Sequence, residues 1–213
     1  MCTQLLGRNG GRRQAVISHH YFSRKPRSLG KKYLLSLHIR GLTLEFITYS
    51  SLFSGKEIDK GTKLLLEYIK IPQEGIVLDM GCGYGVIGIV LAKINPKLKV
   101  YMVDINPLAV KTAKQNAKIN NVEDNIVVLH GDLYEPVKGM MFDAIYSNPP
   151  LSAGKNVVEK IIVEGKNHLK ENGFMQLVLA KGGNYYAEIA RKKYSRIEIV
   201  KKQGYTILTA YMK

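Results

Sequence analysis

The chain has 213 residues, 46% of them hydrophobic and 23% charged, with a net charge of +15. That profile is ordinary for one globular domain, or one domain with an appendage, and long enough to bury a sizeable core. No apolar run approaches the roughly 20 residues of a membrane span, and no apolar stretch of signal-peptide length follows Arg8, Arg12 and Arg13, so a cytoplasmic protein is expected. The only cysteines, Cys2 and Cys82, fit a reducing compartment and suggest neither a bridge nor a metal site.

In chain order, residues 1–18 combine Gly7, Gly10 and Gly11 with three arginines and little periodicity, and read as a disordered basic arm. The first 40 residues hold nine Lys or Arg and no Asp or Glu. Solubility alone explains many cationic faces, but Tyr21, Phe22 and Tyr33 interleaved among these cations favour nucleic-acid contact. Residues 19–59 form an N-terminal extension. Within it Leu35, Leu37 and Ile39 alternate with polar residues, and after Gly41 the pattern resumes at Leu42, Leu44 and Phe46, so a β-hairpin is expected over about 33–48. A third unit spans 60–213 and opens on a helix at 60–70, with Asp59 as its cap and Leu64, Leu65 and Ile69 on its apolar side.

Ile76-Val77-Leu78 predicts a strand over 76–80, followed by the turn Asp79-Met80-Gly81-Cys82-Gly83-Tyr84-Gly85 and a buried helix over 85–94. Strand, glycine turn and helix aim backbone N–H groups and a helix dipole at an anionic group. Gly83, Gly85 and Gly88 also match Gly-x-Gly-x-x-Gly, a weak signal by itself. A second strand, 100–104, ends on Asp104. An acid there accepts hydrogen bonds from the ribose hydroxyls of an adenosine, and Asn106-Pro107 already supplies the cap of the next helix, 107–119.

Strands at 126–130 and 143–147 follow, the first ending on His130 before Gly131-Asp132, the second leading into Asn148-Pro149-Pro150. Two consecutive prolines remove two backbone donors and fix two φ angles, so this segment is a stiff, extended exit from a strand. A helix at 155–171, a strand at 173–180, a helix at 183–193 and strands at 195–201 and 205–212 complete the chain. Strands separated by helices give a parallel sheet with right-handed crossovers. The last two, joined by Lys202-Gln203-Gly204, are too close for a helix and form an antiparallel hairpin. The fold class is therefore α/β, a Rossmann-like, mostly parallel seven-stranded sheet with a terminal antiparallel hairpin. Ligands in such sheets sit at the carboxyl ends of the strands, where Asp79, Gly81, Gly83, Asp104, Asp132 and Asn148 converge.

The succession Asp-x-Gly-x-Gly-x-Gly, Asp104, Gly131-Asp132-Leu133 and Asn-Pro-Pro resembles the class I S-adenosylmethionine-dependent methyltransferases that act on planar amino groups. More narrowly, His20-Tyr21-Phe22-Ser23, Leu52-Phe53-Ser54-Gly55-Lys56, Asp59-Lys60-Gly61-Thr62, Gly131-Asp132-Leu133-Tyr134-Glu135-Pro136 and Ser147-Asn148-Pro149-Pro150 resemble the methyltransferase-small domain of ribosomal RNA small-subunit guanine-N2 methyltransferases. The resemblance covers about His19 to Lys213. It implies S-adenosylmethionine as cofactor and RNA as partner. It also implies cofactor contacts at Asp79, Gly81, Cys82, Gly83, Asp104, Ile105, Leu133 and Asn148, with Gly61-Thr62 as a lip over the methionine end and Asp132 accepting the adenine amino group. Cys82 fills a position that needs a small residue and is not read as a nucleophile.

The larger bacterial members carry an aromatic residue after Asn-Pro-Pro where this chain has Leu151, so a stacking aromatic is expected from elsewhere, with Phe53 and Tyr21 as candidates. Asn148, Pro149 and Pro150 are the expected catalytic segment, with the Asn148 oxygen and the Pro149 carbonyl accepting the two N–H bonds of the target amine. No metal is required. The expected reaction is N2 methylation of guanine in ribosomal RNA. Adenine, tRNA or a protein glutamine amide are alternative targets, and a non-catalytic RNA-binding module is an alternative of another class.

Overall fold

A computed structural model describes residues 30–52, 56–149 and 154–213. The basic arm 1–18, the candidate aromatics Tyr21 and Phe53, Pro150 and Leu151 lie outside the described residues. Leu, Ile and Phe alternation yields β1 (Lys32–Ile39) and β2 (Leu42–Tyr49), paired antiparallel from Ile39↔Leu42 to Lys32↔Tyr49. Both turn residues, Arg40 and Gly41, have positive φ (48° and 76°), as two-residue hairpins require for their twist to match the strands.

The remaining elements alternate: α1 (Lys60–Glu67), β3 (Gly75–Met80), α2 (Val86–Ile94), β4 (Leu98–Asp104), α3 (Pro107–Ile119), β5 (Ile126–His130), β6 (Phe142–Ser147), α4 (Lys155–Gly165), β7 (Leu169–Leu179), α5 (Gly183–Arg191), β8 (Arg196–Lys202) and β9 (Tyr205–Tyr211). They form a seven-stranded sheet in the order β5-β4-β3-β6-β7-β9-β8. The pairs β3–β4, β3–β6, β4–β5 and β6–β7 are parallel, whereas β9 runs antiparallel to both β7 and β8. The mostly parallel sheet with a terminal antiparallel hairpin is the architecture expected from the element order.

Two expected limits need correction. The helix expected over 155–171 ends at Gly165 and is followed by a 3₁₀ turn, Lys166–His168, so His168 is not on an α-helix. Leu169 is the reason: this apolar side chain is buried and its backbone pairs with Phe142, which pulls the chain onto the sheet early. Asn172, with φ +62°, and Gly173 then form an irregularity inside β7 rather than the turn before it. Helix α1 stops at Glu67 instead of residue 70 because the chain beyond it is held by the sheet. The Lys70 N–H donates to Gln176 Oε1 (3.0 Å) and the Tyr146 hydroxyl donates to the Lys70 carbonyl (2.5 Å).

Alternating strand residues feed two cores. Val77, Val100 and Met102 pack with α1, α2, α3 and the hairpin residue Phe46, while Leu78, Met80, Val103 and Ile145 pack with α4 and α5. The hairpin is thus fastened to the same core as the sheet's first face. It is also bound by hydrogen bonds. Fully buried Asn116 of α3 accepts from the Ile47 N–H (2.8 Å) and donates to the Ile47 carbonyl (2.8 Å), and Asn120, one turn later, does the same for Glu45 (3.1 and 2.8 Å). Two asparagines four apart share one helix face, so together they substitute for a neighbouring strand along the β2 edge.

Candidate active site

The carboxyl ends of β3, β4, β5 and β6 open onto one cavity of about 320 Å³. Its floor is the turn between β3 and α2. Gly81, Gly83 and Gly85 have φ of 70°, 56° and 95°, left-handed values open to glycine and strained for other residues. Asp104 locks this turn: its Oδ2 accepts the Gly83 N–H (2.8 Å) and its Oδ1 accepts the Asn106 N–H (2.8 Å). Asn106, not Asp104, caps α3, accepting the Leu108 N–H with its side chain. Burial raises the Asp104 pKa above the ordinary carboxylate range, against the lowering effect of the two N–H bonds and of His130.

Asp104 and the turn residues Gly81, Cys82 and Gly83 line the cavity with Ile105, Asp132, Leu133, Thr62, Asn148 and Pro149. Two expected contacts do not reach it. Asp79 is completely buried beneath the turn, where its Oδ2 accepts the Gly88 N–H (2.9 Å) and its Oδ1 has no hydrogen-bond partner among the described residues. Burial pushes its carboxyl up to about 7. Gly61 stands behind the wall, against Asp59 and Asn148. Pro150 lies outside the described residues. Burial likewise pushes up the Cys82 thiol, consistent with a space-filling role.

Several supporting contacts had no distinct sequence signal. The ring nitrogen of His130 bonds the Ile105 carbonyl (2.9 Å), fixing the loop beside Asp104. Ser147 donates to the Met80 carbonyl (2.7 Å), tying the ends of β6 and β3 beneath the cavity. Asn116 donates also to the Tyr84 carbonyl (2.8 Å), so the residue that grips the hairpin also holds the glycine turn. On the opposite wall, Asn148 Nδ2 donates to Asp59 Oδ2 (2.7 Å) and Thr62 Oγ1 (2.8 Å). The cap at Asp59 was readable as a helix start, but its contact with Asn148 depends on the fold. Tyr205, at the start of β9, places its ring beside Gly61 and is a described aromatic near this wall. Among the described residues no group of three or more His, Cys, Asp or Glu could hold a metal ion, and no helix is long and apolar enough to cross a membrane.

Residues 43–209 match the family described as the methyltransferase small domain. The chain belongs to that family. Its fold is that of the class I S-adenosylmethionine-dependent methyltransferases, and S-adenosylmethionine is the cofactor. The chain is 36% identical over 199 residues to an uncharacterized protein, YbxB, of Bacillus subtilis, covering 91% of this chain and 98% of that one. It is 38% identical over 161 residues to the release factor glutamine methyltransferase of Aquifex aeolicus, covering 64% of this chain and 57% of the relative. It is 35% identical over 167 residues to the ribosomal RNA small subunit methyltransferase C of Psychromonas ingrahamii, covering 76% of this chain and 47% of the relative. Among solved structures, a T. thermophilus 16S rRNA N2 methyltransferase (RsmC) in complex with AdoMet and guanosine shares the fold with a TM-score of 0.76 at 24% identity, over 89% of this chain and 52% of that one. This methyltransferase small domain chain therefore spans about half the length of the ribosomal RNA methyltransferases it matches.

Proposed function

We propose that this methyltransferase acts on an exocyclic amine of a base in RNA, namely guanine N2 of small-subunit ribosomal RNA. The observation that carries this reading is the position of Asn148-Pro149 in the wall of the same cavity as the glycine turn and Asp104. The cavity's residues fit the cofactor. Each Asp104 oxygen already accepts one N–H, and a carboxylate oxygen has a further lone pair, so both remain able to accept a ribose hydroxyl. Ile105 and Leu133 supply apolar surface for an adenine, with Asp132 beside them to accept its amino group.

Bound there, S-adenosylmethionine supplies an electrophilic methyl on a sulfonium that leaves readily as a neutral thioether. The protein's task is positioning and electrostatics. The exocyclic amine of guanine delocalises its lone pair into the ring and is a poor nucleophile. Accepting its two N–H bonds at Asn148 Oδ1 and the Pro149 carbonyl favours a pyramidal nitrogen with its lone pair toward the methyl. Transfer would form the N–C bond as the S–C bond breaks, and the nitrogen would then lose a proton to water. The net charge of +15 supports a phosphate-bearing partner, and the names of the ribosomal RNA relatives support guanine in the small subunit.

A second reading, methylation of a protein glutamine amide, is favoured by one observation, the match to a release factor glutamine methyltransferase. Both targets are planar amides or amines with two N–H donors. Mass spectrometry of nucleosides and of release-factor peptides from a strain lacking the gene separates them. Loss of N2-methylguanine from small-subunit RNA is expected. Unchanged RNA with loss of methylglutamine would overturn the RNA reading.

A further inference from the structure

The carboxamide of Asn148 is not free to turn. Both hydrogens of its Nδ2 are engaged, one by Asp59 Oδ2 at 2.7 Å and one by Thr62 Oγ1 at 2.8 Å. Asp59 Oδ2 serves here as an acceptor, taking N–H groups from both Asn148 and Thr62, so it dictates which end of the amide faces it. A turned amide would set Oδ1 against Asp59 Oδ2 with no proton between two acceptors, and would leave Nδ2 facing the target. Asp59 is itself held in place, because the same Oδ2 accepts the Thr62 N–H (2.9 Å) as the cap of α1 and the Asp59 carbonyl accepts the Lys63 N–H (3.0 Å). The start of α1 is thereby fastened to the end of β6.

Gly61 is the residue that permits so close an approach. A β-carbon there would lie 2.9 Å from Asp59 Oδ2, 3.0 Å from Tyr205 Cε1 and 3.3 Å from Asn148 Oδ1. Space is therefore reserved for the three-residue junction of Asp59, Thr62 and Asn148, in which two side chains of one helix start converge on one amide.

We infer that Asp59, assisted by Thr62, is a positioning residue that restricts Asn148 to its acceptor orientation and so selects a target nitrogen that still carries hydrogens. This rests on the reading of Asn148 as the group facing the methylated amine. A target atom with only a lone pair, such as a ring nitrogen or an oxygen without a proton, would find no donor in Nδ2, because both of its hydrogens are committed. The junction is thus a specificity device for amines as well as a support for catalysis.

Capping and positioning can be separated by Asp59→Ser. Serine is as good a cap as aspartate, but its shorter side chain does not reach Asn148. Initial rates on ribosomal RNA, cofactor affinity and the thermal midpoint would be measured for the wild type, Asp59→Ser and Asp59→Asn. The expected result for Asp59→Ser is a kcat lower by on the order of tenfold or more, with cofactor affinity and thermal midpoint close to wild type. Asp59→Asn, whose oxygen can accept from both Thr62 and Asn148, recovers most of the rate. A wild-type kcat in Asp59→Ser would overturn the inference and leave Asp59 as a cap. The side-chain amide hydrogens of Asn148, followed by ¹⁵N–¹H exchange in the protein alone, give a readout independent of the substrate. Protection in the wild type that is lost in Asp59→Ser supports the inference, and rapid exchange in the wild type overturns it. Absence of methyl transfer to RNA by the wild type would instead overturn the proposed substrate, while the exchange measurement still decides the role of Asp59.

Discussion

The two walls of the cavity are built differently. The floor of the cofactor side is local and made of backbone: the Gly81–Gly85 turn lies within one strand–helix connection, and a single carboxylate, Asp104, pins it from the next strand. The wall that the proposed reaction assigns to the target is made of side chains that meet across 89 residues of sequence, Asp59 and Thr62 holding Asn148. A wall of backbone N–H groups is fixed once the fold forms, so substitutions there are expected to alter binding. A wall of side-chain hydrogen bonds fixes only the orientation of a reacting group, so substitutions there are expected to alter the rate.

The sharpest way to break this division is Asn148→Ala. Cofactor affinity is expected to stay close to wild type while kcat falls by about 10²-fold or more, the scale of losing one preorganised polar contact. Calorimetry with S-adenosylmethionine beside single-turnover rates checks it, and collapse of cofactor binding would place Asn148 on the other side of the comparison. Asp104→Ala should do the reverse, weakening cofactor binding by about 1–3 kcal/mol through loss of a hydrogen-bond acceptor and of the Gly83 clamp. Unchanged affinity in calorimetry would reduce Asp104 to a turn-holding residue.

Asn116 sharpens the comparison from behind the cofactor wall. Its replacement by Ala removes one partner from each of three backbone groups, at Ile47 and Tyr84. A loss of about 1–3 kcal/mol in unfolding free energy is expected, with a smaller loss of cofactor affinity as the turn loosens. Chemical denaturation measures the first, and an unchanged midpoint would mean that water replaces all three bonds.

The smallest effect concerns Asp79 and pH. Its native pKa of about 7 exceeds the ordinary carboxylate value of about 3.9 expected in the unfolded chain. Between those values the native state holds the extra proton, so the contribution of this group favours folding below about pH 4 and is lost as pH rises to about 7. The slope is at most about 1.4 kcal/mol per pH unit. Asp104, also raised by burial, acts in the same direction. Thermal midpoints from pH 4 to pH 8 should therefore fall less steeply for Asp79→Asn than for the wild type, and parallel curves would show that Asp79 is ionised throughout.

The same contrast explains what the sequence made legible. The cofactor wall was visible because its elements are adjacent in the chain: apolar strand, glycines, apolar helix, then an acid closing the next strand. Asn148-Pro149-Pro150 stood out because consecutive prolines forbid regular structure. The alternation of strands and helices determined the sheet, and the short Lys202-Gln203-Gly204 link required the final hairpin. Contacts over long separations left no such trace. Asp59 reads as a cap and as part of the family segment Asp59-Lys60-Gly61-Thr62, with no hint of its bond to Asn148, while Asn116 and Asn120 read as polar residues on a helix until β2 lies against them. Asp79 counted among the cavity residues by its place beside the glycines, yet strand alternation turns it beneath the turn. The early end of α4 depended on Leu169 finding Phe142 across the sheet, which periodicity within the helix could not reveal.

The division of labour between the walls is tested most directly by single-turnover methyl transfer to ribosomal RNA over a range of S-adenosylmethionine concentrations, for Asp104→Ala and Asn148→Ala together. At saturating cofactor, Asp104→Ala is expected to regain nearly the wild-type rate and Asn148→Ala to remain about 10²-fold or more below it. An Asn148→Ala enzyme restored by excess cofactor, or an Asp104→Ala enzyme that no concentration restores, would contradict it.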